Sequence, residues 1–262
     1  MYGIIIQAII GGTIAGILCG VLGILMTRLK LNTIVFSSAH SALAGVALSL
    51  IIPLDQIILS TGFVLFTALI LGPLSDALLL PLDQISMVLL SIYTALALIF
   101  VYLAPGGVTS SEVLAKVFWG SVFAVNIQYV ILLFGLLAVL LLYLSFSWTK
   151  LKAILYDRRL AEAEGINTKP YVYSLILLTG ITIVFVLKIV GGLLVYAILF
   201  NPATAASKLA HNIEKRIVLS AFFGVISVLL GILLSLCFNL PVGACIALAS
   251  AIVMLIARIL PR

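Results

Sequence analysis

Charge is scarce in this chain. Its 262 residues hold 14 Lys and Arg and 8 Asp and Glu, or 8% charged, where a soluble domain carries about 25%. That excludes an ordinary water-facing globular surface. Cysteine is scarce too: Cys19, Cys237 and Cys245 sit in apolar runs without CxxC spacing. They read as small apolar fillers, which excludes a disulfide framework and a zinc site. No GxxxxGK[ST] occurs, so the chain has no phosphate-cradling loop of that type. No carboxylate lies deep in an apolar run, since Asp55, Asp76 and Asp83 fall at ends or gaps. This argues against an ion-coupled secondary transporter, which relies on buried acids, and against a tight metal centre. The missing acid pairs and Ser/His/Asp set argue against an intramembrane enzyme. The net charge of +6 is no nucleic-acid footprint, because the basic residues are scattered between apolar runs instead of forming one patch.

Apolar length is abundant. The chain is 65% hydrophobic, and a spanning helix needs ~20 mostly apolar residues. The expected fold is all-α: a polytopic membrane helical bundle within one domain, residues 1–262. Candidate spans are 4–26, 33–53, 57–75, 84–104, 127–146, 171–190, 192–206, 217–238 and 242–260. That gives about nine transmembrane helices, with eight to ten the range, and 192–206 is short. The first segment lacks a basic n-region and an A-x-A site, so it reads as a retained helix instead of a signal peptide.

Positive charge sets the expected orientation. With the N-terminus outside and the C-terminus cytoplasmic, 12 of the 14 Lys and Arg fall in inside gaps. Only Lys116 and Lys188 fall outside. Residues 105–126 are then an external loop, and the segment 147–170 (SWTKLKAILYDRRLAEAEGINTKP) is cytoplasmic. That segment holds eight of the charged residues. Within it YDRRLAEAEGIN can form a short amphipathic helix capped near Gly165, with Leu155, Leu160, Ala161 and Ala163 as modest apolar surface. It reads as either a basic topology loop or a docking element for a soluble partner.

Ala8, Gly12, Gly16 and Gly20 form a small-residue stripe at helical spacing, which lets backbones approach closely in lipid. Ser37, Ser41, Gly45 and Ser49 form another, beside His40. His40 is the one ionisable side chain deep in a span. It has two readings, a hydrogen bond to a neighbouring helix or a ligand for a transition metal. His211 lies in a basic gap and reads as solvated. Gly191-Gly192 splits the run 171–206, and Asn201-Pro202 is expected to end its second half, so that 192–206 either spans or lines a pathway as a broken helix.

Several stretches together resemble the permease subunits of zinc- and manganese-type ABC importers. YDRRLAEAEGINTKPYVYSLILL looks like that family's coupling segment, and TIVFSSAHSALAGVALSL like its early histidine-bearing helix. VGGLLVYAILFNPATAA resembles its late segment around a proline, GILLSLCFNLPVGACIALASAIVML its final helical pair, and KVFWGSVFAVN its loop before the fifth helix. The resemblance implies an ATP-driven importer of a divalent transition metal, zinc or manganese first and iron after them, working by alternating access in a prokaryotic plasma membrane. It implies a second copy of this chain, two ATPase subunits at the cytoplasmic face and an external metal-binding protein as partners. ATP would be bound and hydrolysed on the partner subunit, so that this chain is no enzyme and binds no cofactor. The coupling role carries onto Asp157, Leu160, Ala161, Glu162 and Gly165. The pathway carries onto His40, Ser37, Ser41 and Asn201, with His40 as transient metal ligand. The family often places an Asp one turn before this histidine; here Phe36 stands there. A metal chelate as cargo, or a channel or secondary transporter working without an ATPase, are the alternative readings.

Overall fold

Helices form wherever an apolar run must satisfy its own backbone, since lipid offers no hydrogen-bond partner. The computed structural model describes residues 2–104, 125–191 and 194–259. These hold ten helices: α1 Tyr2–Arg28, α2 Asn32–Leu48, α3 Gln56–Leu78, α4 Leu82–Leu103, α5 Ile127–Tyr156, α6 Arg158–Ala163, α7 Lys169–Val190, α8 Val195–Leu209, α9 Ile213–Phe238 and α10 Val242–Ile259. Each of the nine expected spans contains one helix, and α6 is the short extra one. The expected external loop lies almost wholly outside the described residues.

Seven of the helices are long and apolar enough to cross a membrane. Besides the six-residue α6, two fall short: α2, at 17 residues, and α8, at 15. At 1.5 Å per residue these span about 25 and 22 Å, against a hydrocarbon core of about 30 Å. The expected span 33–53 loses its end because Pro53 disfavours helical backbone at Ile52; the chain turns at Ser49, whose N–H reaches Gly45 O and Val46 O at 3.2 Å each. Pro202 does not end α8, which runs on to Leu209 with the proline buried inside it. That is tolerated because α8 packs on α1, α9 and α10 rather than on lipid. In the other direction α5 overshoots its expected end at 146 by ten residues, to Tyr156. Charge marks where a membrane ends, not where a helix does.

Two halves meet at the centre. One packs α2 against α3 and α4; the other packs α8 against α9 and α10. Between them stand α1 and α7, while α5 runs along the outside against both. The glycine stripe of α1 meets α9 directly. A Cβ on Gly16 would lie 2.8 Å from the Gly224 carbonyl, and Ser220 Oγ donates to Gly20 O at 2.7 Å. The stripe is therefore a close helix crossing, as its spacing suggests.

The turns sort by end. Arg28 and Lys30 share a pocket with Arg158 and Arg159, and Arg28 shares another with Lys152, His211 and Glu214. Thr33 at the start of α2 donates to Asp83 at the start of α4, which brings that turn to the same end. At the opposite end Asp55 lies with Tyr129 and Lys188. Basic residues from separate gaps thus converge on one face of the bundle.

Candidate functional site

One face of α2 lacks full cover within the chain. Along that helix Thr33, Phe36 and His40 are partly exposed, at a spacing of three and four, whereas Ile34, Val35 and Ser37 to Ala39 are buried. His40 is half-buried on this stripe. Its Nδ1 lies 2.8 Å from Thr94 Oγ1 on α4. The threonine hydroxyl has a single proton, and it is donated to Leu90 O at 2.7 Å. With its proton on Leu90 O, Thr94 accepts from His40, an assignment from the hydrogen-bond network that places the imidazole proton on Nδ1. The lone pair is left on Nε2, which has no partner among the described residues. The first reading, a hydrogen bond to a neighbouring helix, is the geometry seen, and the second nitrogen makes no hydrogen bond among the described residues. A hydrogen-bonded ring of fixed tautomer is how histidine is normally prepared for metal.

The serines expected beside it are arranged otherwise. Ser37 and Ser41 are fully buried. Ser37 Oγ donates to Ile34 O at 3.0 Å and Ser41 Oγ to Ser38 O at 2.8 Å, so both hydroxyls are spent on their own helix. Gly45, in the same stripe, lets the Ser60 backbone of α3 come close. Asn201 is tied across the other half, donating from Nδ2 to Ser250 Oγ on α10 at 2.9 Å. None of the three is brought to the imidazole.

Phe36 occupies the position one turn before His40. Its ring centroid lies 4.9 Å from that of Tyr196 and 5.7 Å from that of Phe200, both on α8. These separations suit aromatic pairing. An aromatic cluster therefore bridges α2 and α8 where a carboxylate would have made a ligand pair. Among the described residues no three His, Cys, Asp or Glu side chains gather to hold a metal ion. One copy of the chain brings a single imidazole to this face of α2, with the Phe36 aromatic cluster one turn away. Sequence reading missed Thr94, Tyr196 and Phe200. Thr94 carried a faint signal as a hydroxyl inside the apolar run SIYTALA; the aromatic contacts carried none.

At the basic end, α6 is built by its caps. The Asp157 carboxylate accepts from the Arg159 and Leu160 amides at 2.8 and 3.2 Å, satisfying donors that a helix start leaves open. The other end closes with Gly165 at φ +84°, while Ile166 N reaches Ala161 O at 3.0 Å, a glycine cap of the Schellman type. Glu162 accepts from Arg158 Nε at 3.0 Å and from the Thr168 hydroxyl. Those two hydrogen bonds, Thr168 first, hold its carboxyl below the ordinary glutamate range. Leu160 is 52% exposed, but Ala161 is 1% exposed. The two residues divide the labour: Ala161 seats α6 on the bundle and Leu160 projects outward. Leu155, expected on the same surface, belongs to α5 and is buried.

Residues 1–260 match the ABC 3 transport family. The chain belongs to that family. It is 28% identical to the manganese transport system membrane protein MntC of Listeria monocytogenes, over 98% of this chain and 90% of that one. It is 25% identical to the high-affinity zinc uptake system membrane protein ZnuB of Buchnera aphidicola, over 99% and 98% of the two chains. Among solved structures it resembles PsaBC from Streptococcus pneumoniae in complex with Fab, at a TM-score of 0.85 and 28% identity, over 97% of this chain and 90% of that one. As a member of this family the chain is a multi-pass permease of the plasma membrane.

Proposed function

We propose that this chain is the permease subunit of an ATP-driven importer of a divalent transition metal ion, manganese or zinc. The observation that carries the reading is His40, held through Nδ1 by Thr94 with Nε2 free on the uncovered face of α2, in a chain of the ABC 3 transport family. The cargo arrives from an external binding protein, and two copies of this chain face one another across the pathway. Two ATPase subunits dock at the basic end, which is cytoplasmic, with the N-terminus outside. They hydrolyse the ATP; this chain supplies no cofactor site. On this reading nine helices cross. The turn at 49–53 completes α2, and neighbouring helices shelter the short α8.

Function then follows from the division between the two ends. A single neutral imidazole per copy holds a divalent ion weakly, as transport requires, since conduction needs release as much as binding. Selectivity rests mainly on the external protein. Leu160 and its capped helix transmit ATPase closure to α5 and α7, which flank α1 and α2, and the face bearing His40 is re-aimed from one side to the other.

One observation favours a second reading. Phe36, Tyr196 and Phe200 offer apolar surface where a bare ion would prefer a carboxylate, and that suits a metal chelate. Reconstitution with the ATPase subunits and binding protein tests both. ATP-dependent uptake of free Mn2+ or Zn2+ that collapses in His40→Ala supports the ion reading. Uptake only of chelated metal supports the second. Uptake without ATP or without the ATPase subunits would overturn both in favour of a channel.

A further inference from the structure

Beside the seat of α6 lies a pocket of ≈ 540 Å³. Its floor is apolar: Leu31, Leu155 and Val172 are all buried. Its rim is basic. Arg28 and Lys30 approach from the α1–α2 turn, and Arg158 and Arg159 from the first turn of α6. Among the described residues the only rim carboxylate is Asp157, and one of its oxygens already accepts from two amides of α6. Arg158 is paired with Glu162. Among the described residues Arg28, Lys30 and Arg159 have no carboxylate partner.

Lys30 sits at φ +58° because it closes α1: its N–H reaches Thr27 O at 3.2 Å and Leu31 N reaches Met26 O at 3.0 Å, a cap of the Schellman type. That cap fixes Lys30 beside Arg28 at the mouth of the pocket. Cations gathered with little counter-charge repel one another, and an anion held between them relieves that repulsion. The level matches as well. Leu31 and Val172 lie within two residues of where the expected spans 33–53 and 171–190 begin, and headgroups stand at the ends of such spans.

We propose that this pocket binds a phosphate group, that of an anionic phospholipid whose glycerol backbone rests on the apolar floor. Guanidinium groups grip phosphate oxygens in pairs, and basic pockets between spanning helices suit acidic headgroups. The site stands apart from His40 and independently of what the chain transports. A lipid held there would clamp the α1–α2 turn to α6, and so tie the docking segment to the helix bearing the pathway histidine.

Native mass spectrometry of the full chain in neutral detergent tests this, with phosphatidylglycerol, phosphatidylcholine and inorganic phosphate as probes. Wild type should retain one phosphatidylglycerol per chain under conditions that strip phosphatidylcholine. The triple variant Arg28→Gln, Lys30→Gln, Arg159→Gln should bind it about a hundredfold more weakly, at roughly a factor of five per surface charge lost. Lys30→Gly, which fits the left-handed turn without strain, keeps the fold and should still lose several-fold. A control with Lys208→Gln and Lys215→Gln, at the same end but outside this pocket, should retain the lipid. Inorganic phosphate that binds alone with the same variant sensitivity, and displaces the lipid, would assign the phosphate chemistry to a soluble source. Equal retention in wild type and triple variant, or equal loss in the control, overturns the proposal. So does a triple variant that keeps its lipid and loses only the co-purifying ATPase subunit, which would make the rim a protein-docking face.

Discussion

His40 on α2 and Thr94 on α4 meet at 2.8 Å, and that contact determines which imidazole nitrogen stays available. Because Thr94 spends its own proton on Leu90 O, the ring must donate from Nδ1. Removing the hydroxyl leaves the ring in either tautomer and free to turn. Thr94→Val should therefore weaken metal interaction about tenfold, in the range found when such supporting groups are lost, while Thr94→Ser keeps it. Concentration-dependent uptake in proteoliposomes measures this; a Val variant with unchanged half-saturation would detach Thr94 from the site.

Phe36→Asp restores a carboxylate one helical turn from His40, on the same face. The pair should hold Mn2+ or Zn2+ at least tenfold more tightly and slow turnover, because release becomes the harder step. Equilibrium metal retention against transport rate checks the opposite signs. Tighter binding with faster transport would contradict the idea that this site is kept weak.

Within the proposed docking segment, exposure separates a coupling role from a folding one. Leu160→Ala, at an exposed position, should leave thermal stability unchanged and lower transport-coupled ATPase activity several-fold. Ala161→Leu, at a buried one, should destabilise by about 1–3 kcal/mol through overpacking. Gly165→Ala meets open space but keeps φ +84°, which costs about 1 kcal/mol. Thermal denaturation of each purified variant, beside ATPase assays of the complex, separates the two effects.

Glu162 gives the segment a pH dependence of definite sign. Its folded carboxyl is held below its usual range by Thr168 and Arg158. The stabilisation is thus present above the unfolded glutamate pKa and is lost as pH falls through the folded one. Hydrogen exchange of the 157–168 amides should stay slow through neutral and mildly acidic pH and quicken only below the normal glutamate range. Glu162→Gln should remove that acid step; an unchanged profile in the variant would assign it to another group.

A Cβ at Gly16 would stand 2.8 Å from the Gly224 carbonyl, so backbone would have to move. Gly16→Leu should separate α1 from α9 and cost about 3 kcal/mol or more, seen as a lowered unfolding midpoint in detergent. Gly62→Ala, which meets nothing, should not.

The architecture was legible because a bilayer imposes length on apolar runs, and each of the nine expected runs holds a helix among the described residues. Their ends were less so. Pro53 cut α2 short through its effect on Ile52, and α5 ran past its last apolar turn because helical propensity continues through Lys150 and Lys152. In α2 the sequence marked His40 by its isolation, but the bond that orients it joins residues 54 positions apart. Ser37 and Ser41 looked functional by spacing, yet a buried hydroxyl in lipid takes the nearest carbonyl, and that belongs to its own helix. The caps of α6 were the most readable detail, since Asp157 and Gly165 act on neighbours within a turn.

The 30-residue length of α5 makes it a lever. At 1.5 Å per residue it is about 45 Å long, so pivoting by about 5° at Ile127 swings Tyr156 through about 4 Å. α6 is attached to that tip by Asp157. Small rotations about Ile127 would thereby be magnified at α6, the docking element of the proposed function. In reverse, a pull of a few ångströms on α6 arrives among the packed helices as a few degrees of tilt.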